Sequence, residues 1–107
     1  MATSVKNVHE SASLPQNFYL HQSYPNPFNS VTLIPYDVRQ QSEVSLNIYT
    51  ITGQLIKTVA RGSHAPGRYN ARWNGTDANG NAVSSGLYIL RMNALDFVQS
   101  KKILYLR

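Results

Sequence analysis

Apolar and polar side chains alternate with a period of two along much of this chain. The alternation is clear in the segments 34–38, 44–48 and 55–59, and no segment repeats apolar residues at the spacing of an amphipathic helix. Because successive side chains of a β-strand point to opposite faces, this period predicts strands that each bury one face. The pattern therefore predicts β-sheets rather than helices.

The fourth predicted strand, 68–73, separates its two faces most clearly. Tyr69, Ala71 and Trp73 share one face, whereas arginine and asparagine side chains occupy the other. Such one-sided strands are typical of antiparallel sheets that are packed on one face and solvated on the other. We therefore expect Trp73 in the core.

Two further apolar runs, 87–95 and 97–106, are separated by little more than Asp96. Together with the earlier segments they give six or seven short strands, whose inward phases define a candidate core. That core includes Leu46, Ile48, Trp73, Tyr88 and Leu90. Short strands joined by regular turns predict an all-β fold, an immunoglobulin-like antiparallel β-sandwich of about seven strands.

Three segments between these strands have the composition of turns. The first, TITGQ at 50–54, predicts a tight hairpin in which Gly53 adopts a positive φ angle. The second, GSHAPG at 62–67, predicts the next turn, and the third, at 74–86, is rich in Asn, Asp and Gly.

Length and charge limit the possible functions. The 107 residues suffice for one core, and the net charge is +5, but the cations are spread along the chain and only Lys101 and Lys102 are adjacent. We therefore expect no nucleic-acid binding. No apolar run exceeds four residues, so we expect no direct insertion into a membrane. The absence of cysteine excludes disulfides and thiolate metal sites.

The loop DANGN has part of the pattern of a metal site. Asp77, Asn79 and Asn81 have the oxygen spacing that begins a calcium-binding loop, but Ala82 stands where that loop needs glycine and Tyr88 where it needs glutamate. A turn held by hydrogen bonds from side chains to the backbone explains the same residues. We therefore predict no metal site.

Catalytic chemistry has no candidate either. His9, His21 and His64 are isolated in the sequence, the carboxylates form no obvious pair, and no nucleophile motif is present. We predict a protein that is not an enzyme and needs no cofactor. Seven tyrosines and Trp73 leave one alternative, a carbohydrate-binding module that stacks exposed rings on sugars, although the alternation places Trp73 and Tyr69 inward.

The two ends of the chain differ in character. Residues 1–14 are small and polar, which predicts a disordered linker or leader, and 15–107 form the predicted domain. The terminal run 103–106 is apolar at consecutive positions, so it presents apolar side chains to both faces of its sheet. The outward pair is left for a partner or is shielded within the chain, for which the segment 17–28 is the best candidate.

The stretch YPNPFN interrupts that segment with two prolines. Pro25 and Pro27 fix their own φ angles and disfavour helical conformations of the preceding residues, Tyr24 and Asn26. Because proline has no N–H to donate, the stretch cannot be a central strand. It predicts a stiff, extended corner that Tyr24 or Phe28 anchors.

Several segments resemble the type A C-terminal sorting domain of the type IX secretion system. They are YPNPFNSVTLIPYDV, VSLNIYTITGQLIKTV, GRYNARWNGTDANGNAVSSGLYILRM and KKILYLR, and the resemblance covers about Leu14 to Arg107. Their order, their spacing and the position of KKILYLR at the end carry the resemblance. The loop that follows Trp73 is also similar to the immunoglobulin-like domain of flagellar hook-capping proteins, which supports the fold but implies a different, structural role.

The resemblance to sorting domains implies a secretion signal in the tail of a larger Bacteroidetes protein. The cargo domain would precede this chain, cross the periplasm and the outer membrane through the type IX machinery, and be attached at the cell surface after a sortase-like protease removes the tail. The positions that match the family's motifs are Tyr24, Pro25, Asn26, Pro27, Phe28, Gly53, Lys101, Lys102, Ile103, Leu104, Tyr105, Leu106 and Arg107. Each also has a structural explanation as corner, turn or closing strand.

Overall fold

The computed structural model describes residues 14–107, so of the expected leader, 1–14, only Leu14 lies within the described residues. The strands are β1 (Tyr19–Leu20), β2 (Thr32–Val38), β3 (Ser42–Thr50), β4 (Leu55–His64), β5 (Gly67–Trp73), β6 (Gly86–Ala94) and β7 (Phe97–Tyr105). They form two antiparallel sheets, with the orders β1-β2-β5 and β4-β3-β6-β7. The predicted all-β, immunoglobulin-like sandwich of about seven strands is confirmed. Residues 14–107 include no helix with the length and apolarity to cross a membrane.

The core lies between the two sheets and is built from the inward phase of each strand. In β2 every second side chain is buried, and β3 and β6 show the same alternation over most of their length. The predicted core side chains are all confirmed, with exposed fractions between 0% and 7%: Leu46, Ile48, Trp73, Tyr88 and Leu90. Burial of one such side chain contributes about 1.5–3 kcal/mol to folding.

One end of this core is aromatic. The Trp73 ring lies 5.4 Å from Phe28, 5.2 Å from Tyr88 and 6.0 Å from Tyr105, measured between ring centroids. Gly75 makes room for this cluster, because a Cβ atom there would collide with the Tyr105 ring and because its φ angle of 75° favours glycine. The Trp-Asn-Gly motif therefore has a packing role.

Two of the predicted turns form as expected. Gly53 has a φ angle of 95° and donates its amide to the Thr50 carbonyl at 2.9 Å, which closes the hairpin between β3 and β4. In the loop after β5, one carboxylate oxygen of Asp77 accepts the amides of Asn79 and Asn81 at 2.9 and 3.0 Å. The side-chain bonding that explained this loop as a turn is therefore confirmed.

The turn predicted at 62–67 is shorter than expected. β4 continues through His64, so only residues 65–66 connect it to β5. His64 Nδ1 lies 2.9 Å from the carbonyl oxygen of Gly62 and therefore carries the proton, while Nε2 accepts the Tyr36 hydroxyl at 2.8 Å. These two hydrogen bonds hold the end of β4 in place.

Candidate recognition surface

The segment 17–28 leads into the fold and contacts both sheets. Its first part pairs with β2, where Tyr19 lies opposite Asp37 and Tyr24 exchanges two hydrogen bonds with Leu33, at 2.9 and 2.8 Å. Its last part leaves β2 and pairs with the outer edge of β7. The segment therefore joins the two sheets along one side of the sandwich.

The segment changes from one sheet to the other at residues 25–27, which form a bend rather than an extended stretch. The peptide bonds that precede Pro25 and Pro27 are both cis. The prediction of an extended stretch was wrong because the chain must turn between two sheet edges within a few residues. The predicted corner is confirmed. Phe28 is its anchor at 3% exposure, whereas Tyr24 is 53% exposed.

The Asn26 side chain attaches this corner to β7. Its Oδ1 accepts the amide of Leu104 at 2.9 Å, and its Nδ2 donates to the carbonyl of Lys102 at 3.1 Å. A side-chain amide has the same donor and acceptor as a peptide group, so Asn26 takes the place of a paired strand residue. We call this pair of hydrogen bonds the Asn26 bridge.

The backbone of Phe28 continues the pairing beyond the Asn26 bridge. Its amide donates to the Leu104 carbonyl at 3.0 Å, and its carbonyl accepts the Leu106 amide at 2.9 Å. Its ring stacks on Tyr105 with centroids 4.9 Å apart and an interplanar angle of 30°. Edge strands expose unpaired backbone groups, and this segment satisfies those groups at the end of β7.

Two glutamines add contacts that the sequence analysis did not identify. Gln22 Nε2 donates to the Lys102 carbonyl at 3.2 Å, and Gln99 Oε1 accepts the Leu20 amide at 2.8 Å. Both bonds join residues about eighty positions apart, |i−j| being 80 and 79. No local sequence signal identifies such contacts, because a glutamine on a sheet edge resembles any other exposed glutamine.

The terminal motif divides between the two faces of its sheet, as its consecutive apolar residues predicted. Ile103 and Tyr105 are buried in the core, whereas Leu104 is half-buried and Leu106 is 47% exposed on the outer face. Lys101 is half-buried with its Nζ 5.9 Å from the centroid of the Tyr19 ring. The expected shield is therefore only partial, because the segment 17–28 covers the edge of β7 rather than its outer face.

Arg107 contacts the loop that precedes β6. Its amide donates to the Ser85 hydroxyl at 2.9 Å, and its guanidinium Nη1 lies 3.5 Å from the Val83 carbonyl. A shallow groove of about 480 Å³ lies between the proline corner and the chain end, and it is lined by Pro25, Pro27, Phe28, Asn29, Leu106 and Arg107. The structure thus brings YPNPFN and KKILYLR together in one surface, which we call the corner groove.

Gly53, the remaining predicted residue, does not belong to the corner groove. It lies in the β3–β4 hairpin beside a separate cavity of about 180 Å³, which Tyr49, Ile89 and Arg91 also line. Its positive φ angle accounts for glycine there on structural grounds. Asn29 lines the corner groove without having been predicted.

Burial shifts the pKa of two tyrosines, Tyr88 and Tyr36. It raises the pKa of the Tyr88 phenol above its ordinary value, and the nearby Tyr105 adds to the increase. The Tyr88 hydroxyl donates to the Ser84 carbonyl at 2.6 Å. Burial likewise raises the pKa of Tyr36, with a further contribution from Tyr69. Both phenols are therefore neutral at physiological pH.

Candidate sites of other kinds find little support. Trp73 is only 1% exposed, so it cannot serve as a sugar-stacking platform, although Tyr19 and Tyr24 are 44% and 53% exposed. Within residues 14–107 no three His, Asp or Glu side chains are grouped so that they could hold a metal ion.

Comparison with known sequences gives one family. The FlgD Ig-like domain matches residues 29–96 of the chain. No curated protein matches the chain in sequence.

Three solved structures share the fold. Dimeric latent PorU from Porphyromonas gingivalis is 18% identical with a TM-score of 0.61, over 81% of this chain and 9% of its own. PorZ, an essential surface component of the type-IX secretion system of the same organism, is 23% identical with a TM-score of 0.54, over 85% of this chain and 12% of its own. FlgD from Xanthomonas campestris, a hook-capping protein, is 21% identical with a TM-score of 0.55, over 85% of this chain and 63% of its own.

The aligned region covers less than two thirds of each of these three proteins. At identities of 23% or less, these likenesses establish the fold and nothing further.

Proposed function

The chain belongs to the FlgD Ig-like domain family, and we propose that it serves as a non-catalytic C-terminal sorting domain that directs a larger cargo protein through the outer membrane by type IX secretion. Its partners are the outer-membrane secretion machinery, a sortase-like protease that removes the domain, and the cargo domain that precedes it. The cargo is secreted or held at the cell surface after passing through the periplasm.

The Asn26 bridge is the observation that carries this proposal. The two segments that match the motifs of sorting domains lie about eighty residues apart, yet Asn26 binds the backbone of Lys102 and Leu104 directly, with |i−j| of 76 and 78. A domain with only a structural role needs its terminal strand paired, but it does not need an exposed groove beside that pairing. The corner groove offers a partner apolar rings and one cation, Arg107, at the place where the two motifs meet.

The structural neighbours include one protein from each of the two candidate functions. PorZ is a component of the type-IX secretion system, and FlgD is a hook-capping protein. A hook-cap-like structural role is the second candidate, and the family match favours it. The two candidates differ in whether the domain alone directs export.

Recognition of the corner groove would depend on folding. Its two sides meet only when β7 is paired with the corner, so an unfolded tail presents the two motifs as separate segments. We therefore expect the export machinery to bind the folded domain, and variants that unfold it to lose export together with their melting transition.

The test is a reporter protein fused ahead of Leu14 and expressed in a type IX host. Arg107→Glu reverses the one charge that lines the corner groove, while Arg72→Glu makes the same charge change elsewhere on the exposed surface. Exposed substitutions usually change stability by no more than about 0.5 kcal/mol, so both variants should melt like the parent domain. The proposal expects the first variant to lose secretion and the control to keep it.

Two outcomes would overturn the proposal. Secretion of the reporter without residues 14–107 would show that the domain is not the signal, and failure of the unaltered domain to direct any secretion would favour the hook-cap-like role. Secretion by the folded Arg107 variant would move recognition away from this charge. The exchange of Pro25 and Pro27 for alanine then tests the other side of the corner groove.

A further inference from the structure

The outer face of the four-stranded sheet is apolar at one end. Leu104 of β7 lies opposite Leu87 of β6, and in the adjacent row Ile89 of β6 lies opposite Tyr49 of β3, which lies opposite Leu55 of β4. All five side chains are in the outward phase of their strands. Ile51, in the turn that follows β3, lines one cavity with Tyr49 and Ile89. We call these six residues the apolar face.

The fold does not require this composition. The outer face of a sheet in a two-layer sandwich is normally polar. The other end of this same face is mostly polar, with Ser45, Asn93 and a hydrogen bond of 2.7 Å between Thr58 and Asn47, although Val98 is exposed there. On the apolar face, Ile51, Leu55 and Leu87 are 68%, 53% and 41% exposed. Contiguous exposed apolar side chains of this kind mark interaction sites on soluble proteins.

No described segment of the chain covers the apolar face. Residues 20–28 lie along the edge of β7, and the ring of Phe18 contacts Phe97 at the start of that strand, 5.7 Å between centroids. Leu104 lies roughly 23 Å farther along β7 at a rise of about 3.3 Å per residue. The described part of the chain therefore enters the domain at the opposite end of the sheet from the apolar face.

Positive charge borders the apolar face. The Arg91 guanidinium lies 5.2 Å from the centroid of the Tyr49 ring, and Lys102 of β7 lies opposite Ile89. Of the side-chain carboxylates among residues 14–107, Asp37 is in the other sheet, and Glu43 and Asp96 are at the far end of this one. Asp77 is in the loop after β5, which reaches the Leu55 end of the face, because the amide of Ala78 donates to the Ile56 carbonyl at 3.1 Å. Arg91 and Lys102 therefore give the part of the face around Tyr49 and Ile89 a positive border, which fits an acidic partner.

The same charge could attract anionic lipids, but the shape favours a protein. Membrane-binding surfaces insert apolar side chains that project from loops or helices, whereas Leu104, Ile89 and Tyr49 are half-buried in a flat sheet. Arg91 is held over the ring of Tyr49, which gives its guanidinium a fixed position suited to a carboxylate on a partner of defined structure.

We infer that the apolar face is a docking surface for a component of the export machinery that presents an apolar protein surface bordered by Asp or Glu side chains. This inference rests on the proposed function and adds a second contact to it, made by residues that do not line the corner groove. The partner would pack on Leu87 and Ile51 and pair its carboxylates with Arg91 and Lys102.

The export assay tests this inference with residues that are absent from the corner groove. Ile51→Asn with Leu87→Thr makes the apolar face polar, and Leu95→Asn with Val98→Thr is the matched control, because Leu95 and Val98 are exposed apolar residues at the other end of the sheet, 60% and 59% exposed. We expect the first variant to melt like the parent and to lose secretion by roughly tenfold or more, the loss that follows from about 1.4 kcal/mol of binding energy. The control should secrete normally.

The outcomes separate the two proposals. Normal secretion by the folded Ile51 and Leu87 variant would overturn the docking inference and leave the sorting function intact. Equal losses in both variants would also overturn it, because the effect would not be specific to the apolar face. Absence of secretion with the unaltered domain would instead remove the sorting function itself.

Crosslinking identifies the class of partner. A photoreactive benzophenone amino acid in place of Leu87 should form an adduct with a protein in the secreting host, at an apolar peptide flanked by Asp or Glu, and the same group in place of Val98 should not. Vesicles of phosphatidylglycerol provide the lipid test with the purified domain. The inference would be overturned in favour of a lipid surface if the domain bound these vesicles, the Ile51 and Leu87 substitutions abolished that binding, and no protein adduct formed at position 87.

Discussion

Replacement of Asn26 by alanine tests whether the corner and the terminal strand are joined as the structure indicates. The substitution removes the hydrogen bond from the Leu104 amide and the one to the Lys102 carbonyl, 2.9 and 3.1 Å long. A hydrogen bond between neutral groups contributes about 0.5–1.5 kcal/mol net. Asn26 is exposed, so water can replace part of the interaction, and we expect a loss of about 1–2 kcal/mol in the free energy of unfolding.

Urea unfolding of the purified domain measures this loss, and amide hydrogen exchange locates it. We expect the amides of Leu104 and Leu106 to exchange faster in the variant, while the amide of Leu90, in the middle of β6, changes only with global stability. Gln22→Ala is the matched control, because it removes one exposed amide with a single 3.2 Å bond to the same Lys102 carbonyl and should cost less than about 0.5 kcal/mol. Unchanged stability and exchange in the Asn26 variant would refute the bridge.

Three further predictions concern the core, the pH dependence and sugar binding. Trp73→Ala should destabilise the domain by about 3–5 kcal/mol and leave it largely unfolded, which circular dichroism would detect; a small shift in melting temperature would contradict the aromatic core. The pKa of Tyr88 is raised in the folded state, so the phenol ionises at lower pH in the unfolded state. The free energy of unfolding should therefore decrease as the pH rises above about 10, and it should decrease less in Tyr88→Phe. Titration with xylan or cello-oligosaccharides should give no saturable chemical-shift changes at Tyr19 or Tyr24; saturation there would favour a carbohydrate-binding module.

The strands and the core could be predicted because each is set by a local pattern. The alternation in β2, β3 and β6 depends on a period of two that any two-layer sandwich imposes, and the consecutive apolar residues 103–106 correctly predicted side chains on both faces of β7. The Gly53 turn was predictable for the same reason, since a tight hairpin requires a positive φ angle at a particular position.

The contacts that build the corner groove could not be predicted in the same way. Asn26 bonds to a strand 78 residues away, and nothing in the sequence around it distinguishes an amide that bridges two segments from one that caps a turn. The bend at 25–27 is set by the distance between two sheet edges, a property of the assembled sandwich. The short connection at 65–66 likewise depends on His64, whose partner Tyr36 belongs to another strand.

The arrangement of the two motifs makes a folding requirement part of the proposed signal. The proline corner pairs with β2 through Tyr24 and with β7 through Asn26 and Phe28, so its position depends on both sheets. The groove beside it then exists only in the folded domain, and its lining comes from both motifs. A partner that binds this groove would distinguish a folded tail from an unfolded one, which a linear signal cannot do. For this reason export should follow the folded fraction of the domain as well as the identity of the groove residues.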